Sequence, residues 1–239
     1  YAAIGVDTDK AIERLENTPI SLHCWQTDDV VGFERNEALS GGIQTTGNYP
    51  GRARNIDEVR KDIEFVKTLL AGNHRLNLHE IYGDFGGKFV DADEVEVKHF
   101  QSWIDWAKEV NMKLDFNSTS FSHPKSGDLT LSSPDKGIRD FWIEHTKRCR
   151  RIADAMGKAQ GDPCIMNIWI HDGSKDLTVN RKKYREILAA SLDEIMEENL
   201  PNMKACFEAK LFGIGLESYT VGSPDFYTAY CATRKQIYT

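Results

Sequence analysis

The feature of this 239-residue sequence that most limits its fold is a strict alternation of short apolar segments with longer amphipathic ones. The short segments favour β-strands, and in the longer ones apolar residues recur at helical spacing. The predicted strands cover residues 20–26, 75–82, 113–117, 164–170 and 204–210. Strand–helix alternation implies parallel strands joined by right-handed crossovers, so we expect an α/β protein.

Capping residues mark where the intervening helices begin. Asn55 or Asp57 is expected to cap the first helix, and another helix begins near residues 133–135, where a proline suits the first turn. A final helix is expected over residues 226–235. The helix after 133–135 is expected to bury Ile138, Phe141, Trp142, His145, Cys149, Ile152 and Met156.

Two parallel architectures fit this pattern, an open doubly wound sheet and a (β/α)₈ TIM barrel. A dinucleotide-binding sheet would carry GxGxxG after its first strand, and this sequence has no such motif there. Polar residues instead lie at or just past the C-terminal end of each predicted strand. They are Gln26, Tyr82, Asn117, His171 and Lys210. Barrels hold their active sites at that end, whereas open sheets gather polar residues only near a switch point, so we favour the barrel.

The spacing of the strands bears on domain organisation. The strands begin roughly 46 residues apart, so eight βα units would need roughly 370 residues, a size within the range of known barrels. About five units are present, the sequence lacks an initiator methionine, and it stops directly after a helical pattern. We therefore expect residues 1–239 to form one partial barrel domain, truncated at both ends.

Composition excludes several functional classes. The net charge of −7 disfavours a nucleic-acid partner, which needs a basic face. The longest strictly apolar run is four residues, far short of a membrane span. Five cysteines without a CxxC pair argue against a disulfide framework and favour the cytoplasm.

The segment Glu208-Ala-Lys210 is the first candidate for chemistry. Side chains two residues apart on a strand point the same way, so both charged groups are able to face the barrel axis. A buried carboxylate beside a buried ammonium is costly unless the two pair or the carboxylate binds a metal. An ion pair that closes the strand and a carboxylate that binds a metal are therefore the two interpretations.

Histidine and tryptophan residues near the strand ends form a second set of candidates. His23 and His79 lie on the first two strands, although a single strand histidine is more often structural than catalytic. Trp25 and Trp169 lie near strand ends, where an aromatic ring belongs either to the core or against the apolar face of a sugar.

Loops supply the remaining candidates. The glycine-rich stretch 41–51 lacks the Gly-x₄-Gly-Lys-Ser/Thr pattern of a phosphate loop and is expected to cover the mouth of the barrel. The loop carboxylates are expected to be solvated. These are Asp28, Asp29, Asp172 and Asp176.

Six blocks of this sequence, in the same order along the chain, resemble L-rhamnose isomerase. They are 19–30 (PISLHCWQTDDV), 41–51 (GGIQTTGNYPG), 75–79 (RLNLH), 114–117 with 121–124 (LDFN, FSHP), 166–170 (MNIWI) and 208–215 with 217–223 (EAKLFGIG, ESYTVGS). The resemblance implies a (β/α)₈ barrel that interconverts the aldose L-rhamnose and the ketose L-rhamnulose. It also implies a cytoplasmic homotetramer that depends on a divalent metal, most often manganese, with cobalt or zinc as alternatives.

The resemblance assigns roles residue by residue. Glu208 resembles the first carboxylate ligand of the metal, and Lys210 resembles the lysine that contacts a substrate oxygen. His79 resembles the histidine near the sugar ring oxygen, a candidate for ring opening, and Trp25 and Trp169 resemble the aromatic wall of the sugar site. The remaining metal ligands of the family are expected beyond the C-terminus of this sequence.

Two other functional classes stay open at this stage. A metal-dependent phosphodiesterase or endonuclease barrel would also use acids and histidines at strand ends, but it would present a basic substrate face. A non-catalytic truncated product would associate through unpaired strand edges, and the fifth strand is expected to expose such an edge.

Overall fold

Parallel strands form the centre of the computed structural model, which describes residues 1–28, 31–33, 51–176, 178–210, 218–234 and 237–238. The strands are β1 (Ile20–His23), β2 (His74–His79), β3 (Lys113–Ser118), β4 (Cys164–Trp169), β5 (Gly173–Ser174), β6 (Met203–Glu208), β7 (Tyr219–Thr220) and β8 (Ile237–Tyr238). The main sheet has the order β1-β2-β3-β4-β6-β8, and all its neighbours are parallel. The five long strands confirm the α/β class and are consistent with part of a (β/α)₈ barrel.

Five of the six described helices follow the long strands as the sequence pattern predicts, and the first helix, which precedes β1, was not predicted. They are α1 (Thr8–Glu16), α2 (Ile56–Leu69), α3 (Gln101–Glu109), α4 (Lys136–Gln160), α5 (Arg181–Ile195) and α6 (Pro224–Ala232). Asn55 caps α2 by accepting from the Glu58 amide at 3.0 Å, which decides between the two predicted caps. Asp135 caps α4 in the same way through Gly137 at 2.7 Å. Among the described residues, no helix has the length and apolar character that crossing a bilayer requires.

Two expectations about the strands are corrected. The first two strands end at His23 and His79, because the chain then turns into the 3₁₀ helices Cys24–Gln26 and Glu80–Tyr82. The outer edge of β6 is not fully exposed, because Ala205 and Cys206 pair with the short strand β8.

The two faces of the sheet differ in chemistry, because alternate residues of a strand point to opposite sides. One face is apolar and packs beneath α3 and α4, where Phe116 meets Phe100 with ring centroids 5.0 Å apart. Its buried residues include Leu76, Leu78, Leu114, Phe116, Met166, Ile168 and Phe207. The other face, called here the polar face, carries Ser21, Arg75, Asn77, His79, Asp115, Asn117, Asn167 and Glu208.

A buried ion pair occupies the polar face at the N-terminal ends of the strands. Arg75 donates to both carboxylate oxygens of Asp115, at 2.9 and 2.8 Å, and to Asp162 at 2.7 Å. Asp115 also accepts from the Ser21 hydroxyl at 2.8 Å and from the Ile165 amide at 2.9 Å. Asp115 on β3 thereby connects Arg75 on β2 with β1 and β4.

Gly157 brings helix α4 against the loop that precedes β6. A Cβ atom at this position would lie 1.7 Å from the carbonyl oxygen of Asn202, so only glycine fits. The same carbonyl accepts from the Cys164 amide at 3.0 Å, and Asp154 on α4 accepts from the Asn202 amide at 2.7 Å. The starts of β4 and β6 are therefore both fastened to one turn of α4.

Candidate functional site

A row of rings lies where the strands of the polar face end. We call it the aromatic row and define it as His23, Trp25, His79, Phe121 and Trp169. Trp25 stacks on His23 at 3.9 Å between ring centroids and meets His79 edge-on at 4.2 Å. The Phe121 centroid lies 6.2 Å from that of His79 and 5.8 Å from that of Trp169. The structure thus brings three predicted site residues, Trp25, His79 and Trp169, into one continuous surface.

His79 is the buried polar group of this row. Its side chain contacts the Thr119 hydroxyl through Nδ1 at 3.0 Å, while Nε2 has no hydrogen-bond partner among the described residues. Burial, reinforced by the neighbouring charge of His23, lowers the pKa of His79 to about 3. His79 is therefore neutral near pH 7, and its buried Nε2 awaits a partner that the described residues do not supply.

Asn77 and His23 lie beside His79 on the same face. The Asn77 amide nitrogen is 3.4 Å from His23 Nδ1, and the amide oxygen of Asn77 has no partner among the described residues. Burial lowers the pKa of His23, and the negative charge of Glu208 opposes that shift. Glu208 therefore lies within electrostatic reach of β1, although it ends a strand four positions away in the sheet.

Glu208 and Lys210 occupy different environments, which corrects one of the two sequence interpretations. Glu208 is exposed, lies in register with Trp169, and accepts from the Asn167 side-chain amide. Lys210 is buried, and its Nζ donates to the backbone carbonyl of His171 at 2.8 Å. Both residues lie in the described part of the chain, where no ion pair joins them, so the pair does not close the strand as a salt bridge.

The donor set for a metal is only partly present among the described residues. Glu208 offers the hard carboxylate oxygen that suits manganese, and Asn167 binds only one of its two oxygens. Within those residues no group of three or more His, Cys, Asp or Glu side chains comes together as a metal site. Glu208 therefore fits the role of one ligand, and a complete site needs further donors.

Two loop acids that were expected to be solvated are buried. Asp28 accepts from the Tyr82 hydroxyl and from the Gly32 amide at 2.9 Å, so Tyr82 has a structural contact, and its ring also meets His79 edge-on at 6.4 Å. Asp172 accepts from Thr130 at 2.5 Å and from both the amide and the hydroxyl of Ser132.

The remaining loop predictions have separate outcomes. Asp176 is exposed as expected. Asp29 and most of the glycine-rich stretch 41–51 lie outside the described residues. His171 donates from Nε2 to the Gly127 carbonyl at 2.6 Å, and its own carbonyl accepts from Lys210.

Sequence reasoning missed three residues of the site as chemical groups. Asn77 lies two residues before His79 on β2, and Asn167 lies two residues before Trp169 on β4, so strand periodicity was the signal that would have found them. Phe121 follows β3 in a loop, where no periodic signal applies.

A parallel βα sheet with its polar and aromatic residues collected at the strand C-termini defines the class of α/β proteins that bind small ligands at that end. Within this class, a family model described as L-rhamnose isomerase (RhaA) matches residues 1–239. The chain belongs to the L-rhamnose isomerase family.

Individual relatives agree with the family model. The chain is 68% identical over 240 residues to an L-rhamnose isomerase of Bacteroides thetaiotaomicron, with all of this chain and 57% of that protein covered. It is 54% identical to one of Rhodopirellula baltica, covering 99% and 56%, and 53% identical to one of Mannheimia succiniciproducens, covering 98% and 57%. The chain therefore spans slightly more than half the length of these relatives.

Proposed function

We propose that the complete protein is a metal-dependent isomerase that interconverts L-rhamnose and L-rhamnulose. The observation that carries the proposal is the buried Nε2 of His79 within the aromatic row, which has no partner among the described residues, on the same sheet face as the exposed carboxylate of Glu208. Membership of the L-rhamnose isomerase family supports the identity of the sugar. By the same membership we propose a cytoplasmic homotetramer.

The aromatic row binds and orients the sugar in this proposal. Trp25 and Trp169 present partly exposed indole rings, which pack against the apolar C–H faces of a sugar ring. Thr119 donates to His79 Nδ1 in the tautomer that we assign, which leaves the proton on Nε2. That N–H donates to the sugar ring oxygen and stabilises the charge that develops there as the ring opens.

Lys210 and Glu208 act on the open-chain sugar. When bound, manganese, or cobalt or zinc in its place, would polarise the sugar carbonyl as a Lewis acid. Glu208 would hold that ion through its carboxylate. The His171 carbonyl fixes the Lys210 ammonium near the strand ends, and we assign to Lys210 the stabilisation of negative charge on the substrate oxygen while a hydrogen moves between C1 and C2.

Two substitutions in the protein at its full natural length test these roles. Glu208→Gln removes the negative charge that a hard cation needs, so bound metal and turnover should fall together. Lys210→Met should leave the metal in place and lower kcat by about 10²–10³, the usual effect of removing a charge-stabilising donor. Metal stoichiometry measured beside kcat for both variants separates the two roles.

Matched controls come from α1, where Glu13 and Lys10 are exposed. Glu13→Gln and Lys10→Met change the same charges and should alter neither metal content nor kcat. Normal metal content and near-normal turnover in both site variants would contradict the proposal and return Glu208 and Lys210 to structural roles.

We also expect the 239-residue chain, expressed by itself, to give no measurable turnover of L-rhamnose with manganese. The reason is that Glu208 is the single metal ligand that the family resemblance assigns within it, and one carboxylate does not hold a catalytic ion. Turnover by the purified chain would overturn this expectation.

A further inference from the structure

We infer that His123 is a positioning residue that holds Phe121 in the aromatic row. The inference deepens the proposed function and rests on it for its consequence, since it makes sugar binding depend on a histidine that does not itself belong to the row. The juxtaposition that carries it is the imidazole of His123, locked between two loops, two residues after the ring that joins His79 to Trp169.

Phe121 joins the two halves of the row, yet it has little support of its own. Its ring is only partly buried and does not belong to the buried core cluster of the described residues. Its ring contacts within those residues are His79 on one side and Trp169 on the other. The position of the ring therefore depends on the backbone that presents it.

That backbone is in a conformation that serine does not prefer. Ser122 has φ +58°, in the left-handed region where a side chain other than glycine is disfavoured. Such a conformation persists only where surrounding contacts over-determine it. The contacts must therefore come from the residues on either side of Ser122.

His123 supplies them through both ring nitrogens. Nδ1 accepts from the backbone amide of Lys125 at 3.0 Å, so the proton lies on Nε2, which donates to Asp91 at 2.8 Å. The ring also packs against Phe141 and Trp142 of α4, at 4.8 and 5.3 Å between centroids. One side chain thus fastens the loop after β3 to the loop after β2 and to α4.

Further bonds close the loop around this anchor. Ser126 donates through its amide to the His123 carbonyl at 2.8 Å and through its hydroxyl to the Ser120 carbonyl at 2.9 Å. Ser120 donates to the Trp169 carbonyl at 3.2 Å. Phe121 and Ser122 therefore lie in a short loop whose ends, Ser120 and Ser126, are hydrogen-bonded to each other, and Ser120 is also bonded to β4.

The test separates positioning from simple support of the fold. His123→Phe keeps a ring against Phe141 and Trp142 but removes both hydrogen bonds. In the protein at its full natural length we expect the KM for L-rhamnose to rise about tenfold, equal to about 1.4 kcal/mol, with kcat changed less than threefold. Lys125→Met keeps the backbone amide that His123 uses and serves as the control, with KM unchanged.

A double-mutant cycle with Phe121→Ala shows whether His123 acts through Phe121. Adding His123→Phe to Phe121→Ala should raise KM no further, because the ring to be positioned is already gone. Additive effects on KM would overturn the inference. If His123→Phe does not fold, His123→Gln carries the cycle, because it keeps a donor for Asp91 while it loses the Lys125 contact and the ring packing; its KM is also expected to rise.

A measurement without turnover keeps this inference separate from the proposed function. With 4-fluorophenylalanine at position 121, the fluorine resonance should be narrow in the otherwise unchanged protein and should move toward the solvent-exposed value, or broaden, in the His123 variants. An unmoved resonance overturns the inference whether or not the protein isomerises L-rhamnose. A shifted resonance in a protein that does not turn over L-rhamnose supports it while the proposed function fails.

Discussion

Both ends of the polar face carry buried polar side chains, but the hydrogen-bonding groups of these side chains find partners at one end and lack them at the other. At the N-terminal ends, Arg75 and Asp115 meet each other, further carboxylate and hydroxyl groups, and backbone atoms, with nothing in that carboxylate left unbonded. At the C-terminal ends, His79 Nε2 and Asn77 Oδ1 have no partner among the described residues. An unmade buried hydrogen bond costs about 1–3 kcal/mol, so we interpret the second end as the proposed ligand site and the first as a stabilising network.

The contrast arises within one strand. Arg75, Asn77 and His79 follow one another at a spacing of two on β2, so they share a face and differ only in height along it. What separates a structural residue from a site residue here is the set of partners that other strands bring. Three predictions probe that separation.

The largest effect is expected at the N-terminal end. Arg75→Met removes the partner of the buried Asp115 carboxylate and leaves its charge uncompensated, which should lower the free energy of unfolding by about 3–5 kcal/mol. Denaturant unfolding of the two proteins measures this loss. Arg14→Met on the exposed helix α1 is the control and should change stability by less than about 0.5 kcal/mol. A similar small loss for Arg75→Met would remove the structural half of the comparison.

The second prediction concerns the pH dependence of stability at the C-terminal end. Burial keeps the pKa of His79 at about 3 in the folded protein, against about 6.5 for an unfolded histidine. Below pH 6.5 the imidazole of His79 is therefore protonated in the unfolded chain but stays neutral in the folded protein. The free energy of unfolding falls as the pH is lowered from 6.5 toward 3. By pH 5 this loss amounts to about 2 kcal/mol.

His79→Phe should abolish that contribution. The difference in unfolding free energy between the original protein and the variant should change by about 2 kcal/mol in favour of the variant between pH 8 and pH 5. His145, whose pKa burial lowers to about 4, contributes equally to both proteins and cancels. Parallel stability curves for the two proteins across this range would show that His79 is not held neutral by burial.

The smallest effect is expected at the solvent margin of the N-terminal end. Lys113 contacts Asp162 at 2.9 Å, but both side chains are substantially exposed, at 50% and 38%. Lys113→Met should therefore cost at most about 0.5 kcal/mol in unfolding free energy. A loss comparable with that of Arg75→Met would mean that the whole ion-pair network, rather than its buried part, stabilises this end.

Local pattern was sufficient for the order of the five long strands and of α2 to α6, because buried apolar residues recur at every second position of β2, β3, β4 and β6. It was not sufficient for the strand ends. Trp25, Ile81 and Tyr82 continue an apolar run after the chain has already turned into 3₁₀ helices. Helix α1 was not predicted. It buries none of its residues, so burial against a core gave its sequence no pattern from which to predict it.

The site was predictable only where residues cluster at strand ends. His79, Trp25 and Trp169 were placed there from position alone, and the structure brings them together. The burial of Asp28 and Asp172 was not predictable, because their partners Tyr82 and Ser132 lie 54 and 40 residues away. The separate partners of Glu208 and Lys210, Asn167 and His171, likewise lie on β4 and just after it, about 40 residues earlier in the chain.

The contact at Gly157 also affects the opposite end of the sheet, because it fixes where β4 and β6 begin relative to each other. Because Asn202 and Cys164 meet at that one turn of α4, β4 and β6 start from a common origin and run in step, residue for residue, as far as Trp169 and Glu208. Six residues of strand carry this alignment across roughly 20 Å. The positions of the Trp169 indole and the Glu208 carboxylate along their strands are therefore set at the other end of the sheet, by a glycine on α4 that has no side chain.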